Sequence, residues 1–375
     1  MPKSLFRRFT KKFFIIINLI IAVLFLLGCY SNWFNPTSFW FLGLLTLGAF
    51  YLLLLLLGFI LFWLFIKPSW CIISLGTMLL AYKPITQIIP LRLSSSFVKT
   101  KQPNNIRVMS WNVEHFDILE YKTHPEKKQQ MLDLINEYEP DIAFFQEMVG
   151  GIKNEQAINY IPKMVNQLNF EDYHYSFNDK LDFDGNHHFG IILFSKYPII
   201  KKQTVRLLTN DYNSIFQYAD VVKDADTFRV FNIHLQSLKF SNSNLQYIEK
   251  PTVKDEIDLQ KTKNIISKLK TGFIKRKVQA DRIAEEIAKS PYPVIIGGDF
   301  NDLANSYAYN TIGKNLSNSF AEKGSGLGRT FSGISPTLRI DNIFASKQLQ
   351  VLQYTCLKKK LSDHYPIIAD FKFEK

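Results

Sequence analysis

The chain has 375 residues, 47% of them hydrophobic, and a formal net charge of +12. Nine of its 45 Lys and Arg, and none of its 33 acids, fall in residues 1–100, so residues 101–375 carry 36 cations against 33 acids and offer no wide basic face for nucleic acid. Of three cysteines, only Cys356 lies outside the apolar N-terminal part, so no disulfide framework is implied.

In chain order, Arg7, Arg8, Lys11 and Lys12 precede an apolar run at 13–27, interrupted only by Asn18. Residues 39–66 are apolar throughout, more than the roughly 20 helical residues a bilayer core requires. Trp33, Trp40, Trp63 and Trp70 flank the runs, as interfacial aromatics do. Residues 69–82 form a third, shorter run, and Lys83-Pro84 breaks it before 85–91 resumes. Residues 1–91 therefore read as a membrane segment with about three transmembrane helices. The cationic start predicts a cytoplasmic N-terminus. Three spans then place the rest on the far side of an inner membrane, as a multi-pass protein; two spans would leave it in the cytoplasm. Leu26-Leu27-Gly28-Cys29 is also similar to a lipobox, but the apolar runs beyond it favour a span that ends in Gly-Cys.

Residues 92–105 are polar, with Ser94-Ser95-Ser96 and Pro103, and read as a linker. From 106 to 375 short β-rich runs alternate with amphipathic stretches. Strands are predicted at 106–111, 142–146, 189–194, 216–222, 228–233, 294–297, 339–345 and 366–371. Helices are predicted at 125–137, at 155–168 and near 270–289. The charged stretch 239–277 reads as a solvated loop and helix, with an insertion at a site rim as the alternative. Strands joined both by helices and by tight turns predict a mixed α/β sandwich.

Polar residues cluster at the ends of the apolar strands, where ligands bind at a sheet rim. They are Ser110-Trp111-Asn112, Gln146-Glu147, Asn232-Ile233-His234, Gly298-Asp299-Phe300-Asn301, Ile340-Asp341-Asn342 and Ser362-Asp363-His364. Glu147, Asp299, Asp341 and Asp363 are carboxylates, and Asn112 and Asn301 are neutral oxygen donors, a set that suits a hard cation such as Mg²⁺. His234 and His364 can move protons near neutral pH. Each piece alone has an ordinary structural explanation; six in order do not. No cysteine or histidine cluster has structural zinc spacing, and the Gly324–Gly328 stretch lacks a P-loop ending.

On these pieces, together with Pro140-Asp141-Ile142 and Ser195-Lys196-Tyr197-Pro198, the chain resembles the endonuclease/exonuclease/phosphatase superfamily from about residue 106 to 372. It looks closest to membrane-attached bacterial members. The resemblance implies a DNase-I-like, four-layer α/β/β/α sandwich that hydrolyses a phosphoester with Mg²⁺ or Mn²⁺. It implies Glu147 as main metal ligand with Asn112 and Asp363 nearby. Asp299 and Asn301 would orient water and phosphate, or hold a second metal. His364 would be base or phosphate contact, oriented by Asp341, and His234 would donate to the phosphate or leaving group. Asn342 stands where relatives commonly carry an aromatic. Arg329 either touches phosphate or fixes its loop, with an ordinary surface arginine as the alternative, and His187-His188 are expected to stay outside metal binding.

The expected function is thus a membrane-anchored phosphodiesterase or phosphatase. Its partners would be the lipid bilayer and a phosphoester, with a lipid or small phosphoester favoured over nucleic acid. A nuclease is the alternative. A binding protein on a retired catalytic fold is disfavoured because every ligand-type residue is present. A transporter is disfavoured by spans with almost no polar lining.

Overall fold

The computed structural model describes residues 3–92, 96–120, 122–151, 159–178, 186–207, 214–250 and 256–374. Two helices, α1 (Lys3–Cys29) and α3 (Leu42–Ile66), contain stretches long and apolar enough to cross a membrane, Arg8–Cys29 and Leu42–Ile66. A short helix, α2 (Pro36–Phe39), lies between them, capped by the Asn35 side chain. The third expected span is not one continuous helix. It is a broken pair, α4 (Cys71–Leu80) and α5 (Tyr82–Ile88), with a 70° bend between the runs Pro68–Leu80 and Tyr82–Ile88. Pro84 has no N–H to give the Leu80 carbonyl four residues back. That carbonyl instead accepts a hydrogen bond from Tyr30 Oη at 2.6 Å. The polar break in the first run is also satisfied: Asn18 donates to Ser74 Oγ at 2.9 Å and accepts from Trp63 Nε1 at 3.1 Å. A buried amide in an apolar bundle needs such partners.

Twelve strands form two six-stranded sheets. They are β1 (Ile106–Asn112), β2 (Ile142–Gly151), β3 (Asp172–Phe177), β4 (His187–Ser195), β5 (Ile199–Arg206), β6 (Ile215–Lys223), β7 (Asp226–His234), β8 (Val294–Asp299), β9 (Leu316–Asn318), β10 (Asp341–Ser346), β11 (Leu349–Cys356) and β12 (Ile367–Phe373). One sheet runs β11-β12-β1-β2-β4-β3, the other β5-β6-β7-β8-β10-β9. Side chains alternate between faces, as the two-residue period requires. Val108 and Phe144 point between the sheets and meet Val230, Ile295 and Ile343. Trp111 and Phe145 point outward and pack with Met131 and Ile135 of α6 (Lys127–Tyr138) and Met164 of α7 (Ile161–Leu168). On the other outer face Phe231, Ile296 and Phe344 pack with Ala280 and Ile283 of the long helix α9 (Glu256–Ala288) and Tyr309 of α10 (Tyr307–Ile312). Two sheets face to face with helices outside make the expected four-layer sandwich.

The eight predicted strands are all present. The helix expected at 155–168 begins at Ile161, and residues 152–158 lie outside the described residues. The charged stretch after Lys239 holds α8 (Asn242–Glu249), with a Ser241 cap, and the first half of α9.

The N-terminal helices and the sandwich are joined by specific contacts. Gly43 lies against the Phe273 ring, 2.7 Å from where a β-carbon would sit. Asn305 Nδ2 donates to the Pro84 carbonyl at 3.2 Å. Buried Arg339 donates to the carbonyls of Gln87, Ile88 and Leu327 and stacks on Phe320. It thus caps the C-terminal end of α5, where carbonyls lack helical partners. Arg339→Met is expected to lower stability by about 3 kcal/mol, since buried hydrogen bonds to a charged group contribute roughly 1.5–3 kcal/mol each. Removing residues 1–91 should lower the melting temperature similarly. Thermal unfolding in detergent tests both; an unchanged midpoint in either would refute a structural joint.

Candidate active site

The second sheet sets a row of three polar side chains by register alone. His234 pairs with Asp299 across β7 and β8, and Asp299 pairs with Asp341 across β8 and β10. Gly298 permits this: its φ is +155°, and a β-carbon there would stand 1.9 Å from the Ile233 carbonyl oxygen. In the first sheet Asn112 ends β1 opposite Gln146. The register of β2 against β4 shifts between Phe145 and Met148, and Glu147 in that bulge adopts φ +54°. The bulge re-aims the Glu147 carboxylate, a common use of bulges beside active sites.

A hydrogen-bond bridge beneath holds the two sheets together. Asn232, fully buried on β7, accepts from Gln146 Nε2 at 2.8 Å and donates to the carbonyls of Ile192 at 2.8 Å and Phe145 at 3.3 Å. The neighbours of this bridge along the chains are Glu147 and His234, which therefore face each other.

All eight expected residues form one connected set. Asn112 donates to Asp299 at 3.3 Å, and Asn301 donates to the same carboxylate through Nδ2 at 3.1 Å and through its backbone N–H at 2.8 Å. His234 Nε2 lies 3.5 Å from Asp299 and 3.8 Å from Glu147. His364 Nδ1 is paired with Asp341 Oδ2 at 2.9 Å, while its Nε2 lies 3.7 Å from Asp299 and 3.9 Å from Asp363. The His364 backbone is pinned as well: its N–H donates to Ser362 Oγ, and its carbonyl accepts from Trp111 Nε1 at 2.9 Å. Thr330 Oγ1 accepts from the Ile340 and Asp341 N–H groups and so fixes the start of β10.

Burial and charge divide the set. Burial alone would lower the His364 pKa, but Asp341, Asp299 and the Asp341 hydrogen bond outweigh it and hold the imidazole well above its usual value. His234 goes the other way: burial pushes it down to about 4, with Asp299 pulling back. The two imidazoles are therefore pushed in opposite directions, His364 toward the charged form and His234 toward the neutral one. Burial raises Glu147 to about 7, an Asn112 hydrogen bond opposes this, and Asp363 and Asp299 add to the rise. The side chains of Glu147 and Asp363 are still 30% and 46% exposed, so the acidic wall opens to solvent.

Sequence reasoning missed Glu114 and His115. Glu114 Oε2 accepts from the Asp363 N–H at 3.1 Å, and His115 Nε2 stands 3.6 Å from Glu147. Residues Glu114, His115, Phe116 and Asp117 all have φ between +44° and +60°. Four successive side-chain-bearing residues in the left-handed region carry strain, and no sequence pattern announces it. Their position two and three residues after Asn112 was the available signal. Arg329 donates to the Phe331 and Gly333 carbonyls and so fixes its own loop. His188 stacks on Phe177. Asn342 is buried and accepts from Asn318 Nδ2 at 3.1 Å, tying β10 to β9.

The donor set fits a hard cation. Glu147 and Asp363 offer oxygen on the open side, with buried Asn112 beside them, and a cation there would neutralise the neighbouring carboxylate charge that adds to the burial-driven rise of Glu147. Ligand atoms of Asp299, Asp341 and His364 also lie within 4.8 Å of one another, all buried. There, however, His364 and Asp341 already satisfy each other through a hydrogen bond.

The model of the endonuclease/exonuclease/phosphatase family matches residues 109–364, and that of a domain of unknown function matches residues 11–88. No curated protein matches the chain. Among solved structures, an endonuclease/exonuclease/phosphatase from Bacteroides vulgatus is similar at 20% identity and TM-score 0.52, over 72% of this chain and 99% of that one. A family protein from Bacteroides thetaiotaomicron gives 19% and 0.52, over 73% and 100%. One from Beutenbergia cavernae gives 15% and 0.51, over 72% of each. These likenesses carry the fold.

Replacing Asn232 with Leu strands Gln146 and two carbonyls in the core. It is expected to cost about 3 kcal/mol, since each unsatisfied buried group costs roughly 1–3 kcal/mol. Urea unfolding checks it; a loss below a few tenths would refute the bridge.

Proposed function

Since the chain belongs to the endonuclease/exonuclease/phosphatase family, we propose that it is a membrane-anchored phosphoester hydrolase that uses Mg²⁺ or Mn²⁺, with its catalytic domain outside the cytoplasm. The observation that carries the chemical part is the His364–Asp341 pair set beside Asp299 and opposite the open carboxylates Glu147 and Asp363. Glu147, with Asp363 and Asn112, would hold the cation, which when bound neutralises charge building on the phosphoryl oxygens. His364, charged and fixed by Asp341, donates from Nε2 to a phosphoryl oxygen. His234, neutral, aims Nε2 at the gap between Asp299 and Glu147 and donates there. Asp299 is held by Asn112 and Asn301 and orients the attacking water. Preorganised donors and acceptors of this kind stabilise a transition state without reorganising at the moment of reaction.

Three features support the side of the membrane. The connection between α1 and α3 and the end of α5 both touch the sandwich: Ser31 Oγ donates to the Asn305 carbonyl at 3.4 Å, and Arg339 caps α5. At the other end Lys11 lies 5.6 Å from the Trp70 ring, with Arg8, Lys12 and Lys67 nearby in sequence. Positive charge marks the cytoplasmic side. With α4 and α5 counted as one broken crossing, the sandwich lies opposite it.

The purified full-length chain is expected to hydrolyse phosphoesters only with Mg²⁺ or Mn²⁺. Glu147→Gln and His364→Gln should each lower kcat by about 10²–10⁴-fold, the usual contribution of such groups. Full activity in a chelator, or in either variant, would sink the assignment. Asp341→Asn removes the carboxylate that holds His364 above its usual pKa. Activity that needs charged His364 is present below that pKa and lost as pH rises through it, so the alkaline limb should move to lower pH. An unmoved limb would contradict the role given to His364. For topology, an export-dependent reporter fused after Lys375 should be active; activity confined to a cytoplasmic reporter would overturn the outside placement.

A further inference from the structure

Resting on that hydrolase reading, we propose that the substrate is a lipid of the same bilayer, whose phosphoester enters the site from the headgroup layer. Two loops wall the second-sheet side of the site. Residues 300–306 follow Asp299, and residues 330–340 precede Asp341. These loops carry most of the hydrogen bonds that fasten the sandwich to the helices, beside the packing of Phe273 on Gly43. Asn305 bonds Ser31 and Pro84, Arg339 bonds Gln87 and Ile88, and Ser335 Oγ pairs with Tyr51 Oη at 2.9 Å.

The contact with Tyr51 sets the depth. α3 has 25 residues, and a bilayer core takes about 20 at 1.5 Å each. Counting about 20 residues up from Ile66 ends near Leu47. Tyr51 sits a turn deeper, so the tip of the 330–340 loop reaches the level where acyl chains give way to headgroups. From Ser335, four residues lead back to Phe331, a reach of at most about 14 Å. Phe331 forms a bridge with His364, and its ring lies 5.1 Å from the imidazole. The catalytic pair and the headgroup layer are therefore neighbours. Trp33, Phe39, Phe41 and Tyr82, all exposed, ring the same end of the bundle, where aromatic side chains favour the interface.

A tether serves a dissolved substrate equally well from any face of the enzyme. Docking through the loops that wall the site shortens the path to the membrane and narrows the path from water. A lipid gains most from that arrangement, since confinement to one surface raises its effective concentration. The near balance of 36 cations and 33 acids in residues 101–375 adds no pull for nucleic acid.

The test uses the full-length chain in vesicles of phosphate-free galactolipid carrying phosphatidic acid, phosphatidylglycerol or phosphatidylethanolamine, with Mg²⁺. Comparison substrates are the matching deacylated headgroup esters, a chromogenic phosphodiester and plasmid DNA. For at least one lipid, release should follow its mole fraction in the surface rather than its bulk concentration, and kcat/KM should exceed that of the deacylated ester by about 100-fold or more. Pro336→Asp, at the exposed loop tip, should cut turnover of the lipid about tenfold through the lost surface contact, with the deacylated ester unaffected. Equal or faster turnover of any dissolved ester or of DNA, or an equal loss on both substrates in Pro336→Asp, would overturn the lipid assignment and leave the hydrolase reading standing. Absence of metal-dependent turnover on every substrate would overturn both.

Discussion

The site depends on one buried amide. Asn232 spends its carbonyl and its amino group on the opposite sheet, and with the Ser176–Gln217 and Asn112–Asp299 bonds it fixes how far one sheet slides over the other. Apolar contact between sheets is non-directional; a hydrogen-bonded amide is directional. The next residue along each strand is fixed by consequence. Glu147 follows Gln146, and His234 follows Asn232 by two, so the first sheet's acid and the second sheet's imidazole meet across the gap. Buried ion pairs act within each sheet instead, Arg107 with Asp370 between β1 and β12, and Arg229 with Asp220 between β7 and β6. Polar bonds therefore fix strand against strand as well as sheet against sheet, and packing fills the rest.

The same division of labour joins the sandwich to the N-terminal helices. Gly43 against Phe273 is packing, and Arg339 on the end of α5 is direction. Arg339 stands two residues before Asp341. The helix end and the Asp341 carboxylate are thus tied to one short stretch, with Thr330 bracing it from the neighbouring loop. Placement of His364 is consequently shared between the strands and the N-terminal helices.

The sequence made much of this legible, and the omissions share a cause. The eight strands read from sequence include every interior strand of both sheets. The four not anticipated are β3, β5, β9 and β11, and they are the four sheet edges. An interior strand is buried on both faces and shows an apolar run. An edge strand such as β5, with Lys201, Lys202 and Gln203 exposed, resembles a loop. The site was legible because its residues end interior strands. Glu114 and His115 were not, because a left-handed turn rather than a strand presents them. The third apolar run looked like a span by composition, and Pro84 gave notice of the break without its angle. The Asn232–Gln146 bridge could not be read, since each amide alone looks like one more polar residue beside a motif.

Those edge strands bear on how the molecule meets its neighbours. An open strand edge invites a neighbour to add on. The edge formed by β5 meets such a visitor with exposed Lys201 and with Lys202 paired to Asp172. A strand adding there would have to strip water from these charged groups before backbone groups could pair. The polarity that hid this strand from sequence reading also keeps the molecule from zipping to its own kind.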